Sequence, residues 1–152
     1  MSEVVAGADA EFRHEPDPEH PGWWTWELTD GSRFNPVLGR MLVRREDGLA
    51  RVRMFPERRH SNLLDIVHGG VTLAFIDVAL FAGARMFGLL DAGGAVTLDL
   101  HTQFIGAGRL GLPLDAEVEC LRETRRLLFL RGRVVQEGTA VAAFAGTIRK
   151  SG

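Results

Sequence analysis

The feature that most limits the fold of this chain is one long apolar segment, which opens at Gly69-Gly70 and ends near Gly88 or at the Asp91–Gly94 cluster. The segment is too long for an ordinary strand, so its length predicts a helix. Apolar residues would cover nearly every side of that helix: Leu73, Ala74, Phe75, Ile76, Val78, Ala79, Leu80, Phe81 and Ala84. A helix of this kind must be wrapped by other parts of the chain.

Two groups of strand-like segments are available to wrap the helix. Met41–Arg45 and Leu49–Phe55 precede it, and the turn sequence Glu46-Asp47-Gly48 between them predicts a hairpin. Four further strand-like segments follow it, namely Val96–Phe104, Leu114–Leu121, Leu128–Gln136 and Ala140–Arg149. Their short linkers favour antiparallel neighbours. We therefore expect an α+β fold, with one antiparallel sheet curled around one long central helix and with edges that a second copy would cover.

The length of 152 residues is that of one domain. The segment Glu11–Pro21 mixes charges with three prolines and shows no period. We predict a flexible N-terminal tail over residues 1–22 and a single domain over residues 23–150.

Charge and composition exclude several classes of partner. A formal net charge of -2 leaves no basic excess for holding nucleic acid. The apolar segment carries Asp77 and Arg85, which a membrane span would rarely tolerate together. Cys120 is the only cysteine and no H-E-x-x-H spacing occurs, so no metal site is predicted. Because Met1–Ala10 lacks the pattern of a signal peptide, we expect a cytoplasmic protein with no membrane partner.

Asp77 is the residue that the predicted core explains least well. An ionised carboxylate inside an apolar helix costs several kcal/mol unless it is paired or functional. Arg85 is too distant to pair with it, because eight helical residues span roughly 12 Å. Asp77 is therefore either a structural carboxylate hydrogen-bonded to a strand group such as Thr97, or a functional group.

The sequence His68-Gly69-Gly70 is the second candidate site. Glycines at a helix start let a ligand approach the backbone closely, and the free N–H groups there suit an oxyanion. The alternative is a flexible helix entry with His68 as a capping or packing residue. If Gly69 and Asp77 are both functional, their separation of roughly 12 Å is too large for one reacting carbonyl. Two antiparallel copies of the helix about a two-fold axis would bring Gly69 of one chain to Asp77 of the other.

The segment Asn62–Gly70, followed by Asp77 nine residues after His68, resembles the hotdog-fold acyl-CoA thioesterases. The subgroup that it resembles is the phenylacetate-degradation type, related to one branch of the 4-hydroxybenzoyl-CoA thioesterases. The resemblance covers roughly residues 38 to 149. The segment with Trp23, Trp24 and Trp26 is outside the shared pattern and is a candidate cover for the acyl pocket.

This resemblance implies hydrolysis of an aromatic or medium-chain acyl-CoA to the free acid and CoA. In such enzymes the N–H that matches Gly69 polarises the thioester carbonyl, and the carboxylate that matches Asp77 is the general base or nucleophile. Thr97 would orient the water or the carboxylate, while Asn62 and His68 would shape the site. No cofactor is implied, because coenzyme A arrives as part of the substrate.

The same resemblance implies a homodimer or a dimer of dimers that binds acyl-CoA. The expected substrate-binding residues are Gly70 and four arginines that suit the phosphates of coenzyme A: Arg58, Arg59, Arg125 and Arg126. Because the hotdog fold serves several chemistries, two other functions stay open at this point. One is a dehydratase or hydratase, and the other is an acyl-CoA-binding module without catalysis.

Overall fold

The computed structural model describes residues 11–91 and 94–151 of the chain. It contains one long helix, α1 (Gly69–Met86). The strands are β1 (Phe12–Arg13), β2 (Trp24–Thr25), β3 (Glu27–Leu28), β4 (Met41–Glu46), β5 (Leu49–Met54), β6 (Val96–Phe104), β7 (Leu114–Glu123), β8 (Leu127–Gln136) and β9 (Thr139–Arg149). Two short 3₁₀ helices, Asn35–Leu38 and Arg58–His60, lie in the connections.

Seven of these strands form one antiparallel sheet in the order β2-β4-β5-β7-β8-β9-β6. The hairpin of β4 and β5 and the four strands after the helix lie where the sequence predicts them. Because β4, β5, β6, β7 and β9 all contact α1, the sheet curls around the helix. The predicted α+β hotdog fold is confirmed.

The central helix is buried by this sheet, as its apolar composition requires. Its buried residues include Phe75, Ile76, Ala79 and Leu80, each with no exposed surface. By length and composition α1 could cross a membrane, but 56% of it is already buried inside the domain. Burying one large apolar side chain contributes about 1.5–3 kcal/mol, so the helix supplies much of the energy of the core.

Residues 11–22 differ from the expected flexible tail, whose first ten residues lie outside the described part of the chain. Strand β1 pairs with β3, and Pro16 bridges Trp24. Asp17 is buried and forms ion pairs with His20 and Arg40. Residues 11–22 are therefore packed against the domain. The sequence shows no period there because strand β1 is only two residues long.

Strand β6 forms one edge of the seven-stranded sheet. It pairs with β9 on one side, and among the described residues no strand covers its other side. Three of its apolar residues are exposed, with Val96 at 42%, Leu98 at 52% and Phe104 at 54%. A nine-residue edge with exposed apolar residues is a surface that can pair with another strand.

The contact between α1 and β7 supplies a test of the packing. A Cβ added at Gly83 would lie 2.9 Å from Val118 Cγ1 and 3.0 Å from its Cβ. We expect Gly83→Ala to lower the free energy of unfolding by about 1–2 kcal/mol, because overpacking outweighs the gain in helix propensity. Urea denaturation measures the change. The control is Gly31→Ala, since a Cβ at Gly31 meets nothing within 4 Å. An unchanged or raised stability of Gly83→Ala would contradict this packing.

Candidate functional site

The carboxylate of Asp77 lies on the half-buried side of α1, where it meets the start of β6. The Thr97 hydroxyl donates a hydrogen bond to Asp77 Oδ1 at 2.6 Å. The register of β6 against β9 shifts between Thr97 and Asp99, which marks a bulge beside this contact. Thr97 therefore fixes one carboxylate oxygen, and among the described residues the other oxygen has no hydrogen-bond partner.

Asp77 also lines a cavity of about 290 Å³. The helix contributes Val78, Phe81 and Arg85 to its wall, and the N-terminal segment contributes Phe12 and Trp26. The aromatic rings of Phe12 and Trp26 stack with their centroids 4.5 Å apart. A half-buried carboxylate beside a cavity with both aromatic and polar walls suits a reactive group next to a small-molecule pocket.

The N-terminus of α1 is capped by His68, whose Nδ1 accepts a hydrogen bond from the Gly70 N–H at 2.8 Å. The His68 N–H in turn donates to the carbonyl of His60 at 2.8 Å. The Gly70 N–H is thus occupied. Within the described part of the chain the Gly69 N–H has no hydrogen-bond partner. Gly69 therefore offers a free donor at the positive end of the helix dipole.

The buried His60 holds the loop that leads into the helix. Its Nδ1 accepts from the Glu57 N–H at 3.0 Å, and its Nε2 lies 2.8 Å from the Val37 carbonyl. These bonds place the hydrogen on Nε2 of a neutral ring. His60 positions the backbone that His68 uses. Sequence reasoning missed this role, because only the folded loop brings residues 37, 57 and 68 together.

Asn62 shapes the same loop and does not reach Asp77 within one chain. Its Oδ1 accepts from the Leu64 N–H at 2.9 Å and from the Ile66 N–H at 3.4 Å. Within the described residues these are the contacts of its side chain. Asp65 takes a positive φ of 58° inside this turn. Asn62 therefore closes the turn before the helix.

The four arginines fall into two groups. Arg58 is 90% exposed with its guanidinium 4.0 Å from Asp65, and Arg59 pairs with Glu57 at 3.2 Å. Arg125 and Arg126 instead line a cavity of about 570 Å³, where two further cations join them. Those two, Arg149 and Lys150, were missed by the sequence analysis, because only strand pairing brings residue 149 beside the turn that precedes Leu127.

The basic cavity lies at the same end of β6 as Thr97. Arg149 is the cross-strand partner of Val96, the residue before Thr97. Gly69, by contrast, lies beside Phe104 at the other end of β6, where a Cβ on Gly69 would be 3.6 Å from the ring. One chain thus holds the carboxylate and the free N–H donor at opposite ends of the same strand.

The chain is similar to several known proteins. Residues 64–143 match the thioesterase superfamily. A comparison with curated proteins found no match. Among solved structures, a protein from Bacillus halodurans determined with CoA is 30% identical, with a TM-score of 0.59, and the match covers 69% of each chain.

Two further solved structures resemble the chain over most of their own length. A mutant of the phenylacetic acid degradation protein PaaI from Thermus thermophilus is 28% identical, with a TM-score of 0.61, over 75% of this chain and 95% of that one. The PaaI protein of the E. coli phenylacetic acid degradation operon is 22% identical, with a TM-score of 0.63, over 72% of this chain and 82% of that one. The second likeness bears on the fold alone. Because the matched residues 64–143 make up more than half of the chain, it belongs to the thioesterase superfamily and is a hotdog-fold thioester hydrolase.

Proposed function

We propose that this enzyme hydrolyses the thioester of an aromatic or medium-chain acyl-CoA to the free acid and coenzyme A. The observation that carries the proposal is the Asp77 carboxylate, hydrogen-bonded by Thr97 and lining a cavity with aromatic walls. The CoA in the related Bacillus halodurans structure supports coenzyme A as the carrier.

Asp77 acts as the general base in this proposal. Its second oxygen accepts a proton from water while the water oxygen attacks the thioester carbonyl carbon. The C–S bond then breaks, and the proton passes from Asp77 to the thiolate. General base catalysis of this kind contributes typically about 10²–10⁴-fold in rate.

Gly69 supplies the donor for the developing oxyanion. Its N–H has no partner within the described residues and lies at the first position of α1. A helix N-terminus favours negative charge, so the donor suits the tetrahedral intermediate. His68 keeps the neighbouring Gly70 N–H occupied, which leaves Gly69 as the donor for the substrate.

The complete site forms between two copies of the chain. Antiparallel pairing of β6 with itself, about a two-fold axis near the middle of the strand, brings the Thr97 end of one copy to the Phe104 end of the other. Thr97 holds Asp77, and Phe104 lies against Gly69. The pairing thereby joins the base of one copy to the oxyanion donor of the other, and it buries the exposed Val96, Leu98 and Phe104.

The basic cavity beside Arg149 is the proposed site for the phosphates of coenzyme A. Arg125 and Arg126 line it, and it lies at the same end of β6 as Thr97. Arginine binds phosphate through paired N–H donors, so the cavity suits the nucleotide end of the substrate. Arg58 and Arg59 are solvent-exposed and lie in the loop that leads to Gly69. In the paired molecule, the second copy would offer them as additional basic residues for the coenzyme A phosphates.

The role of Asp77 is tested by Asp77→Asn, which keeps an acceptor for Thr97 but removes the base. We expect thiol release from a panel of acyl-CoAs to fall by about 10²–10⁴-fold with the fold retained. Thiol release is followed with a chromogenic disulfide, and circular dichroism checks the fold. Asp47→Asn, in the exposed turn between β4 and β5, is the control. Full activity in Asp77→Asn would remove this carboxylate from the mechanism.

The two-copy site is tested by complementation between Asp77→Asn and Gly69→Pro. Proline removes the Gly69 N–H, and it is tolerated at the first helical position because His68 is already extended, with φ −61° and ψ 135°. Each variant alone should be nearly inactive. Coexpressed copies should regain about a quarter of wild-type activity, since about half of the dimers are mixed and each has one intact site.

Gly69→Ala is the control for this experiment, because it keeps the N–H and its Cβ makes an ordinary contact with Phe104 at 3.6 Å. It should retain most of the activity. If the mixed sample stays as inactive as its parents while mixed dimers are present, then each site uses residues of a single copy.

The phosphate site is tested by the double variant Arg125→Ala and Arg126→Ala. We expect KM for an acyl-CoA to rise about tenfold and kcat to change little, because phosphate contacts act on binding. The matched acyl-pantetheine lacks the adenosine phosphates, so its KM should not change. Arg33→Ala, at a distant exposed ion pair with Asp30, is the control. An equal change for both substrates would place the phosphates elsewhere.

A further inference from the structure

Three residues on one side of α1 extend the Asp77 site into a stripe. Asp77, Phe81 and Arg85 are spaced four residues apart, which places them on the same helix face. All three line the cavity of about 290 Å³. From Asp77 to Arg85 the helix rises roughly 12 Å, which is two turns plus a fraction. The stripe therefore begins with the reactive carboxylate, continues with an aromatic ring and ends with a cation.

The Arg85 guanidinium is held by aromatic rings. Its central carbon lies 5.1 Å from the centroid of Phe12 and 5.7 Å from that of Trp26. Stacking against ring faces leaves the N–H donors at the edge of the guanidinium available. Among the described residues no carboxylate lies within ion-pair distance of Arg85. A half-buried cation is thus held in place beside the cavity without an ion-pair partner.

Two exposed carboxylates are the charges that act on Arg85 within the described residues. Burial lowers the pKa of the guanidinium from its ordinary value, while the charges of Glu11 and Asp91 raise it. Both carboxylates are exposed at the rim of the cavity, where solvent screens them. A planar guanidinium matches a carboxylate through two parallel hydrogen bonds.

We propose that Arg85 is a specificity-determining residue, which binds a carboxylate at the far end of the acyl group. The preferred substrates are then monothioesters of dicarboxylic acids, with the thioester at Asp77 and the free carboxylate at Arg85. This inference rests on the proposed acyl-CoA hydrolysis. An acyl group with a methyl end would leave the half-buried cation unpaired, which costs binding energy.

The N-terminal segment, here residues 11–28, forms this end of the cavity. Phe12 and Trp26 precede the residues 64–143 that match the superfamily. Strand β1 carries Phe12, and its pairing with β3 holds the ring against Trp26 and over Arg85. The segment thereby both closes the cavity and orients its cation.

The experiment compares matched pairs of thioesters that differ only at the far end. Succinyl-, adipyl- and suberyl-CoA are paired with butyryl-, hexanoyl- and octanoyl-CoA, and kcat/KM is measured for each. We expect the wild-type enzyme to prefer the carboxylate member of its best pair by about 10- to 100-fold, the scale of a charge-assisted hydrogen bond. Arg85→Gln should abolish that preference by lowering kcat/KM for the carboxylate member, while kcat/KM for the neutral member does not fall, because the unpaired cation is removed.

Two further variants distinguish the charge and the paired donors of Arg85 from an unspecific effect of the substitution on the protein. Arg85→Lys keeps the charge but not the paired donors, so it should restore part of the preference. Arg45→Gln is the matched control, because Arg45 also stacks on an aromatic ring, Phe87 at 5.3 Å, but does not line the cavity. It should behave like the wild type. Equal rates for both members of every pair in the wild type, or an equal loss for both in Arg85→Gln, would overturn the inference.

The dissociation constants of the same acyl-CoA pairs show whether a negative result contradicts this inference or the proposed function. They are measured by calorimetry on Asp77→Asn, with and without Arg85→Gln. If no acyl-CoA is hydrolysed by the wild type, the proposed function fails, but a tighter binding of the carboxylate members that depends on Arg85 still supports the inference. If hydrolysis occurs without any such preference in binding or rate, the inference fails and the proposed function stands.

Discussion

The rest of the structure depends on the burial of one apolar helix. Helix α1 is apolar on nearly every side, so a strongly curved sheet surrounds it. That wrapping brings the start of β6 against the middle of the helix, where Thr97 meets Asp77. The carboxylate is tolerated there because Thr97 donates a hydrogen bond to one oxygen and the side chain lines a cavity. The Asp77 carboxylate is therefore a charged residue within the apolar helix whose burial stabilises the domain.

The same wrapping leaves one edge of the sheet, strand β6, without a partner strand on its outer side among the described residues. Strand β6 carries the carboxylate's partner near one end and the neighbour of Gly69 at the other, while its outer side has no partner strand among the described residues. Under the proposed function, self-pairing of this edge covers the apolar side chains and completes the catalytic site in one step. Stability of the assembly and catalysis would then depend on the same contact, which explains why Asp77 and Gly69 can be two helical turns apart.

Several parts of the fold and the site were predictable because they depend on local patterns. The helix and six strands of the sheet follow from apolar period, length and turn residues, and Asp77, Thr97, Gly69 and His68 stand out by chemistry and spacing. The N-terminal strands were not predictable, since two-residue strands carry no period. Arg149, Lys150 and His60 were missed because their neighbours lie far away in sequence. From the sequence, Arg85 served only as evidence against a membrane span and as a partner considered for Asp77. Its stacking on Phe12 and Trp26 depends on a segment that has no pattern of its own.

By itself the sequence determined the buried helix, the antiparallel strands around it and the identity of the charged residue at its centre. These follow from short-range rules of hydrophobicity and backbone conformation. Only the tertiary structure decided which oxygen of Asp77 is occupied, that the Gly69 N–H is free while the Gly70 N–H is not, and that an arginine stacked on two rings ends the cavity. Such facts depend on contacts between residues remote in sequence, and the closing of the sheet around the helix fixes those contacts.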